Sequence, residues 1–218
     1  MNKVLIGLIS AIISVNCVSQ SELRPINEVP PDIDSVKVVI PIYSQRIAFR
    51  LPTTWKAASQ DQNANVFLIE FTPNNENINS WSNLVSVQGF RNLAERGNSE
   101  QFLDSLASRF EAVCGENVVY EKIDALLIDG YKSTTAILGC SDLPSDQPTD
   151  IGRGQSEIGY YFSIEGEKDI YLIHKSIRGS AFEVEEPPFN KDNISSFIQE
   201  FMPIELCKNT GGLGVCNK

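Results

Sequence analysis

Two hydrophobic periods divide the chain beyond residue 35. Alternation of apolar and polar positions predicts strands over 36–40, 46–51, 66–71 and 83–88, with Ile47, Phe49 and Leu51, or Phe67, Ile69 and Phe71, on one face each. Pro52 closes the second strand, Trp55 follows outside it, and Pro73-Asn74-Asn75 closes the third. The period then lengthens. Phe102, Leu106, Phe110 and Val113 recur at helical spacing. Asn98 with Gln101 three residues on supplies a capping box, and Gly115 stands where helices end. Strands return over 118–123, 126–128 and 131–138, the last two joined by Asp129-Gly130, a two-residue hairpin signal. A loop over 141–156 leads to a second hairpin, 158–164 and 170–178, turning at Glu165-Gly166-Glu167-Lys168. A last helix is expected over 191–202, with Ile194, Phe197, Ile198 and Phe201 inward.

Hairpins require antiparallel pairing, and two main helices remain to cover the result. The expected class is α+β: a twisted antiparallel sheet of hairpins covered by two helices. The predicted layout is a signal peptide over 1–19, an extended Pro-rich tether over 20–35, one α+β domain over 36–206, and a disulfide-closed tail over 207–218.

The N-terminus points to export. A short basic start at Lys3 precedes an apolar run over 4–15, broken only by Gly7, Ser10 and Ser14. Crossing a bilayer as a helix takes about 20 residues, so this run matches a signal-peptide core instead. Cys17-Val18-Ser19 before Gln20 offers small residues at a cleavage site. Ser14-Val15-Asn16-Cys17 resembles a lipobox that would make Cys17 the acylated first residue, although Asn16 and Ser14 depart from the usual pattern. A bacterial envelope or periplasmic setting follows, with membrane attachment only through that anchor.

Cysteine usage agrees. Without Cys17, Cys114, Cys140, Cys207 and Cys216 remain, an even number suited to an oxidising compartment. Sequence order suggests Cys114–Cys140 and Cys207–Cys216 among the three possible connectivities. Zinc is disfavoured, because no Cys-x-x-Cys occurs and His174 is the single histidine.

Charge narrows the partners. The 28 Asp and Glu exceed the 18 Lys and Arg, giving a formal net charge of −10. A nucleic-acid binder needs a basic footprint, and none is present. No catalytic set stands out either. His174 has no Gly-x-Ser-x-Gly elbow to serve. Asp142, Asp146 and Asp150 recur at a spacing that suits no calcium loop. Glu183, Glu185 and Glu186 read as a solvated loop, or as a dock for a basic segment. Asn193-Ile-Ser195 matches a glycosylation triplet but falls inside the expected helix.

Trp55, Trp81, Phe90 and Phe189 lie outside the predicted strand and helix faces. Packing under loops is the ordinary explanation. Aromatic residues also gather at binding sites, which makes Trp81, Trp55 and Phe189 candidate binding residues, Trp81 foremost.

The segment Phe49, Leu51, Pro52, Trp55, with a mid-chain helix, central hairpins and a C-terminal helix, resembles the PsbP-type fold, also seen in DcrB-type bacterial envelope lipoproteins. The resemblance implies partner or ligand binding rather than catalysis, and carries over no functional residue. The sequence expectation is an exported non-catalytic envelope protein, without cofactor, that binds a protein partner or a small apolar ligand. The alternative is a secreted hydrolase using dispersed carboxylates. Intact mass of the native protein checks the compartment. A chain starting at Gln20, or at acylated Cys17, with two hydrogens gained per disulfide on reduction, is the expected result; retained Met1 with free thiols contradicts export.

Overall fold

A computed structural model describes residues 35–144, 155–210 and 216. The strands are β1 (Ser35–Ile42), β2 (Gln45–Pro52), β3 (Trp55–Gln62), β4 (Val66–Pro73), β5 (Asn83–Phe90), β6 (Val118–Ile128), β7 (Tyr131–Cys140), β8 (Gln155–Glu165), β9 (Ile170–Ser180) and β10 (Glu205–Lys208). The helices are α1 (Ser99–Cys114) and the short α2 (Ile194–Ile198), which runs into a 3₁₀ turn at Gln199–Phe201.

The strands form two antiparallel sheets where the sequence suggests one. Seven pair in the order β3-β4-β5-β9-β8-β7-β6, and three in the order β1-β2-β10. The α+β class and the antiparallel pairing hold, and the sheets are more extensive than hairpins under two helices. The small sheet packs on one face of the large one. Ile40, Ile42, Ile47, Phe49 and Leu51 from above meet Ile69, Phe71, Val85, Phe162 and Ile173 from below in a single apolar core. Phe189, Ile194 and Phe201 of the C-terminal segment complete it, with Trp55 edge-on to Phe201 at 5.5 Å.

Helix α1 covers part of the opposite face. Its capping box forms as expected: Gln101 N donates to Asn98 Oδ1 at 2.9 Å and Asn98 N to Gln101 Oε1 at 3.2 Å. Leu103 and Ala107 lead the buried stripe, packing on Ala136, Leu138 and Tyr161, while Phe102, Leu106 and Phe110 flank it half-buried. The apolar face is therefore centred one residue away from the predicted stripe. Cys114–Cys140 ties the end of α1 to β7, and Cys207–Cys216 starts within β10, so the expected tail begins as part of the small sheet.

Three elements differ from the sequence reading for physical reasons. Strand β3 goes unpredicted because beyond Trp55 it holds only Ala and polar residues; it is an edge strand with a largely solvated surface. The segments 118–123 and 126–128 are one strand, β6, interrupted by a bulge between Lys122 and Ala125. Thr135 Oγ1 fixes that bulge, donating to Asp124 O and accepting from Asp124 N, both at 3.2 Å. The last helix is shortened to α2, since Ile-Ser-Ser-Phe-Ile is poor in helix formers and Pro203 stops the chain just beyond.

The turns of the two sheets meet at Asp169. This buried carboxylate accepts from Ser44 Oγ at 2.6 Å and Ser44 N at 3.4 Å in the β1–β2 turn. It also accepts from Asn92 N at 2.8 Å after β5 and from Tyr171 OH at 3.1 Å. Tyr171 OH lies 3.1 Å from Ile42 O as well. Tyr43 and Asn92 both hold positive φ, 52° and 56°, a strained setting for side-chain-bearing residues that the node must maintain. Close approach matters beside it too, because a Cβ on Gly89 would fall 2.4 Å from the Ile42 side chain. Burial raises the Asp169 pKa, but the hydrogen bonds from Ser44, Asn92 and Tyr171 outweigh it and hold the carboxyl below the ordinary Asp value. Replacing Asp169 by Ala strands buried donors, at a cost of about 3 kcal/mol. Thermal unfolding of Asp169→Ala should fall by roughly 6–12 °C for a domain of this size. A shift under about 2 °C on the same scale contradicts the role given to Asp169.

Candidate functional site

The face of the large sheet opposite the small sheet carries the polar residues. Along β8 and β9 the residues that pair on this face include Tyr161 with His174 and Glu157 with Arg178. His174 is buried, stacked on Tyr161 with ring centroids 4.4 Å apart, and its Nδ1 lies 2.9 Å from Ser176 Oγ. Burial alone pushes its pKa down to about 3. This places the single histidine as a neutral packing residue with a hydroxyl partner. Ser176 is fully buried, so the pair has no open side for a substrate.

Glu157 and Arg178 form a buried ion pair. Arg178 Nε and NH2 both lie 2.9 Å from Glu157 Oε2. Trp81 closes over it, with the guanidinium carbon 3.8 Å from the ring centroid, a cation–π contact in a water-poor setting. Burial raises the Glu157 pKa against the pull of Arg178, and burial likewise raises Glu70 nearby, partly offset by a hydrogen bond from Ser59. Two carboxylates with raised pKa values are the nearest thing here to the pair a hydrolase would need. Glu157 is committed to Arg178 beneath Trp81.

The three aromatic candidates are all packed. Trp81 is 8% exposed over Arg178; Trp55 lies in the core; Phe189 stacks on Phe197 with ring centroids 4.1 Å apart. Phe90 ends β5 and meets Phe102 of α1 at 4.7 Å. Glu183, Glu185 and Glu186 are exposed, as is Asp142, whereas Asp146, Asp150 and Cys17 lie outside the described residues. Asn193 is not inside a helix but precedes α2, exposed. Among the described residues no cluster of His, Cys, Asp and Glu could hold a metal ion. No helix among them is long and apolar enough to cross a membrane.

An open surface occurs where the start of α1 meets the β6–β7 hairpin. Ser99 Oγ and Thr134 Oγ1, 2.9 Å apart, join helix to sheet there. Around them Glu100, Ala125, Leu127, Lys132 and Glu165 line a hollow of about 480 Å³. Leu127 is 68% exposed, the most exposed large apolar side chain among the described residues. Continuing the β7–β8 register by one pair sets Lys132 beside Glu165, and neither has an ion-pair partner among the described residues. On the helix side of the rim, Lys122 Nζ bridges Glu100 at 2.7 Å and Asp104 at 3.1 Å. Tyr120 OH donates to Asp104 at 2.7 Å and helps hold that carboxyl below its ordinary range. Sequence reading missed this site because Leu127 alternates as an ordinary hairpin residue; only the turn of the strand shows that it faces water.

One interior cleft among the described residues is far smaller. The cleft lined by Val85, Phe162, Ile173, Phe201, Met202 and Ile204 holds about 10 Å³. That is at or below what one water needs.

No family model matches the chain, and no curated protein matches it. Several solved structures are similar to it at a low level. The Ran-binding protein Mog1p of Saccharomyces cerevisiae is 11% identical over 78% of this chain and 86% of its own, with a TM-score of 0.39. LpqN of Mycobacterium tuberculosis, involved in cell envelope biogenesis, is 7% identical over 81% and 93%, with a TM-score of 0.35. A Bacteroides thetaiotaomicron protein is 11% identical over 76% of this chain and 46% of its own, also at 0.35.

Acidification tests the assignment of His174. Between about pH 3 and 6.5 the unfolded chain binds a proton at this residue and the folded chain does not. Stability is therefore present above the unfolded value and is lost as pH falls, by up to about 1.4 kcal/mol per pH unit. His174→Gln should flatten that slope in denaturant titrations at pH 6 and pH 4. An unchanged slope means that His174 protonates in the folded protein.

Proposed function

We propose that this is an exported, non-catalytic protein that binds another protein through the hollow between the start of α1 and the β6–β7 hairpin. The exposure of Leu127 carries the reading. A large apolar side chain held on a hairpin, beside Lys132 and Glu165, which form no ion pair among the described residues, has the make-up of a docking patch: an apolar anchor with a charged rim. A protein partner is favoured over a small apolar ligand, because ligand pockets are lined mainly by apolar side chains, whereas this open hollow is lined mostly by polar and charged ones such as Glu100, Lys132, Thr134 and Glu165. The two disulfides support an oxidising compartment outside the cytoplasm. A bacterial periplasm, with or without an acyl anchor at Cys17, fits the leader-like run at the N-terminus.

The test uses the full chain in its native host, with a photo-crosslinking amino acid in place of Leu127. A covalent adduct with one second protein is expected, reduced at least about tenfold when Lys132→Glu reverses a rim charge. Adducts no more frequent than those from exposed Gln60 on β3 contradict the site.

A further inference from the structure

Sheet edges are templates for further pairing, and folded proteins ordinarily blunt them with bulges, charges, short strands or covering groups. Three of the four edges here are blunted. Strand β6 has its bulge between Lys122 and Ala125, with exposed Glu121, Lys122 and Asp124 along it. Strand β3 is bulged between Ala57 and Ser59 and continues into exposed Gln60, Asp61 and Gln62. Strand β10 is short, and its Leu206 N–H is already taken by Asp129 Oδ2 at 3.1 Å.

Strand β1 is different. Its register with β2 runs unbroken from Ser35↔Pro52 to Ile42↔Gln45, and among the described residues no strand pairs on its other side. Five of its residues are β-branched: Val36, Val38, Val39, Ile40 and Ile42. The two-residue turn makes Ile42/Gln45 the first hydrogen-bonded pair, so Ile40, Val38 and Val36 also bond to β2. The backbone groups of Ser35, Lys37, Val39 and Pro41 therefore point to the open side. Pro41, which has no N–H to offer, blunts one of these outward positions, but it stands near the turn end and leaves Lys37 and Val39 free to pair. The one charged side chain of the strand is drawn off the edge, since Lys37 Nζ reaches across the outer face of the sheet to Glu205 at 2.8 Å.

We infer that the open edge of β1 pairs with β1 of a second copy of this chain, antiparallel about a two-fold axis at Val38. The pattern is self-complementary about that residue. On the inner side Val36 meets Ile40 of the other copy, and Val38 meets Val38. On the outer side Lys37 meets Val39, and these two exchange both backbone hydrogen bonds, because both lie at outward positions. The missing Pro41 donor falls at the end of the ladder, opposite Ser35. Each Lys37 is already neutralised by its own Glu205. Two three-stranded sheets thus become one six-stranded sheet, an isologous contact that closes on itself. This surface is separate from the hollow at Leu127, and either can hold without the other.

Two measurements on the full chain purified from its native host test the dimer. Sedimentation equilibrium at roughly 100 µM should give twice the monomer mass, with dissociation at least about tenfold easier in Val39→Pro. That substitution removes an outward donor and leaves the β1–β2 ladder intact. Val39→Lys, which adds a charge at the same position, should act likewise if the proline variant fails to fold. Val38→Cys places two thiols at a directly opposed, non-hydrogen-bonded pair, where cross-strand approach is closest. It should yield a reducible dimer on mild oxidation, and Gln60→Cys should not. A monomer at all concentrations, a dimer indifferent to both Val39 variants, or Val38→Cys trapped on a different protein in envelope extracts overturns the proposal.

Discussion

A buried carboxylate at the β8–β9 turn, Asp169, holds together three chain segments that are far apart in sequence. Its hydrogen bonds to Ser44, Asn92 and Tyr171 fasten the turn of the small sheet to two turns of the large one. The apolar core between the sheets follows from that registration. Ile42 can enter the space over Gly89 only if the β1–β2 turn is held close, and two residues with positive φ are kept there by the same bonds. Hydrophobic burial supplies most of the stabilisation between the layers but is non-directional. The node contributes direction.

On the proposed reading, recognition takes place at the surface. Aromatic side chains fill much of the described core, and the Glu157–Arg178 pair is buried on the opposite face of the large sheet. The features offered for recognition are superficial: an exposed leucine on a hairpin, a charged rim around it, and the long unbulged edge of β1. A two-fold contact at β1 would present two copies of the hollow at once, and divalent display raises apparent affinity for a partner with two sites.

Much of the strand and helix order was legible in the sequence. Strict alternation marked β2, β4 and β5, Asp129-Gly130 marked the β6–β7 turn, and Asn98 with Gln101 marked the start of α1. The pairing of Cys114 with Cys140 and of Cys207 with Cys216 followed sequence order. Division into two sheets was not legible, because alternation gives the face of a residue but not the layer it packs against. Strand β3 escaped notice since an edge strand can form from Ala, Ser and Gln when its neighbour supplies the ladder. The candidate aromatic residues illustrate the same limit. Trp81 looked free between two loop segments, and only the fold sets it over Arg178.

Hydrogen exchange resolved by residue in the native protein tests this picture most directly. If Asp169 locks the two sheets into one body, the amides of Ser44 and Asn92 open only with global unfolding. They should then exchange as slowly as the central strands β5, β8 and β9, although both lie in turns. Fast exchange at Ser44 and Asn92 while those strands stay protected would mean that the small sheet can lift away, and that the interior is not closed to ligands after all.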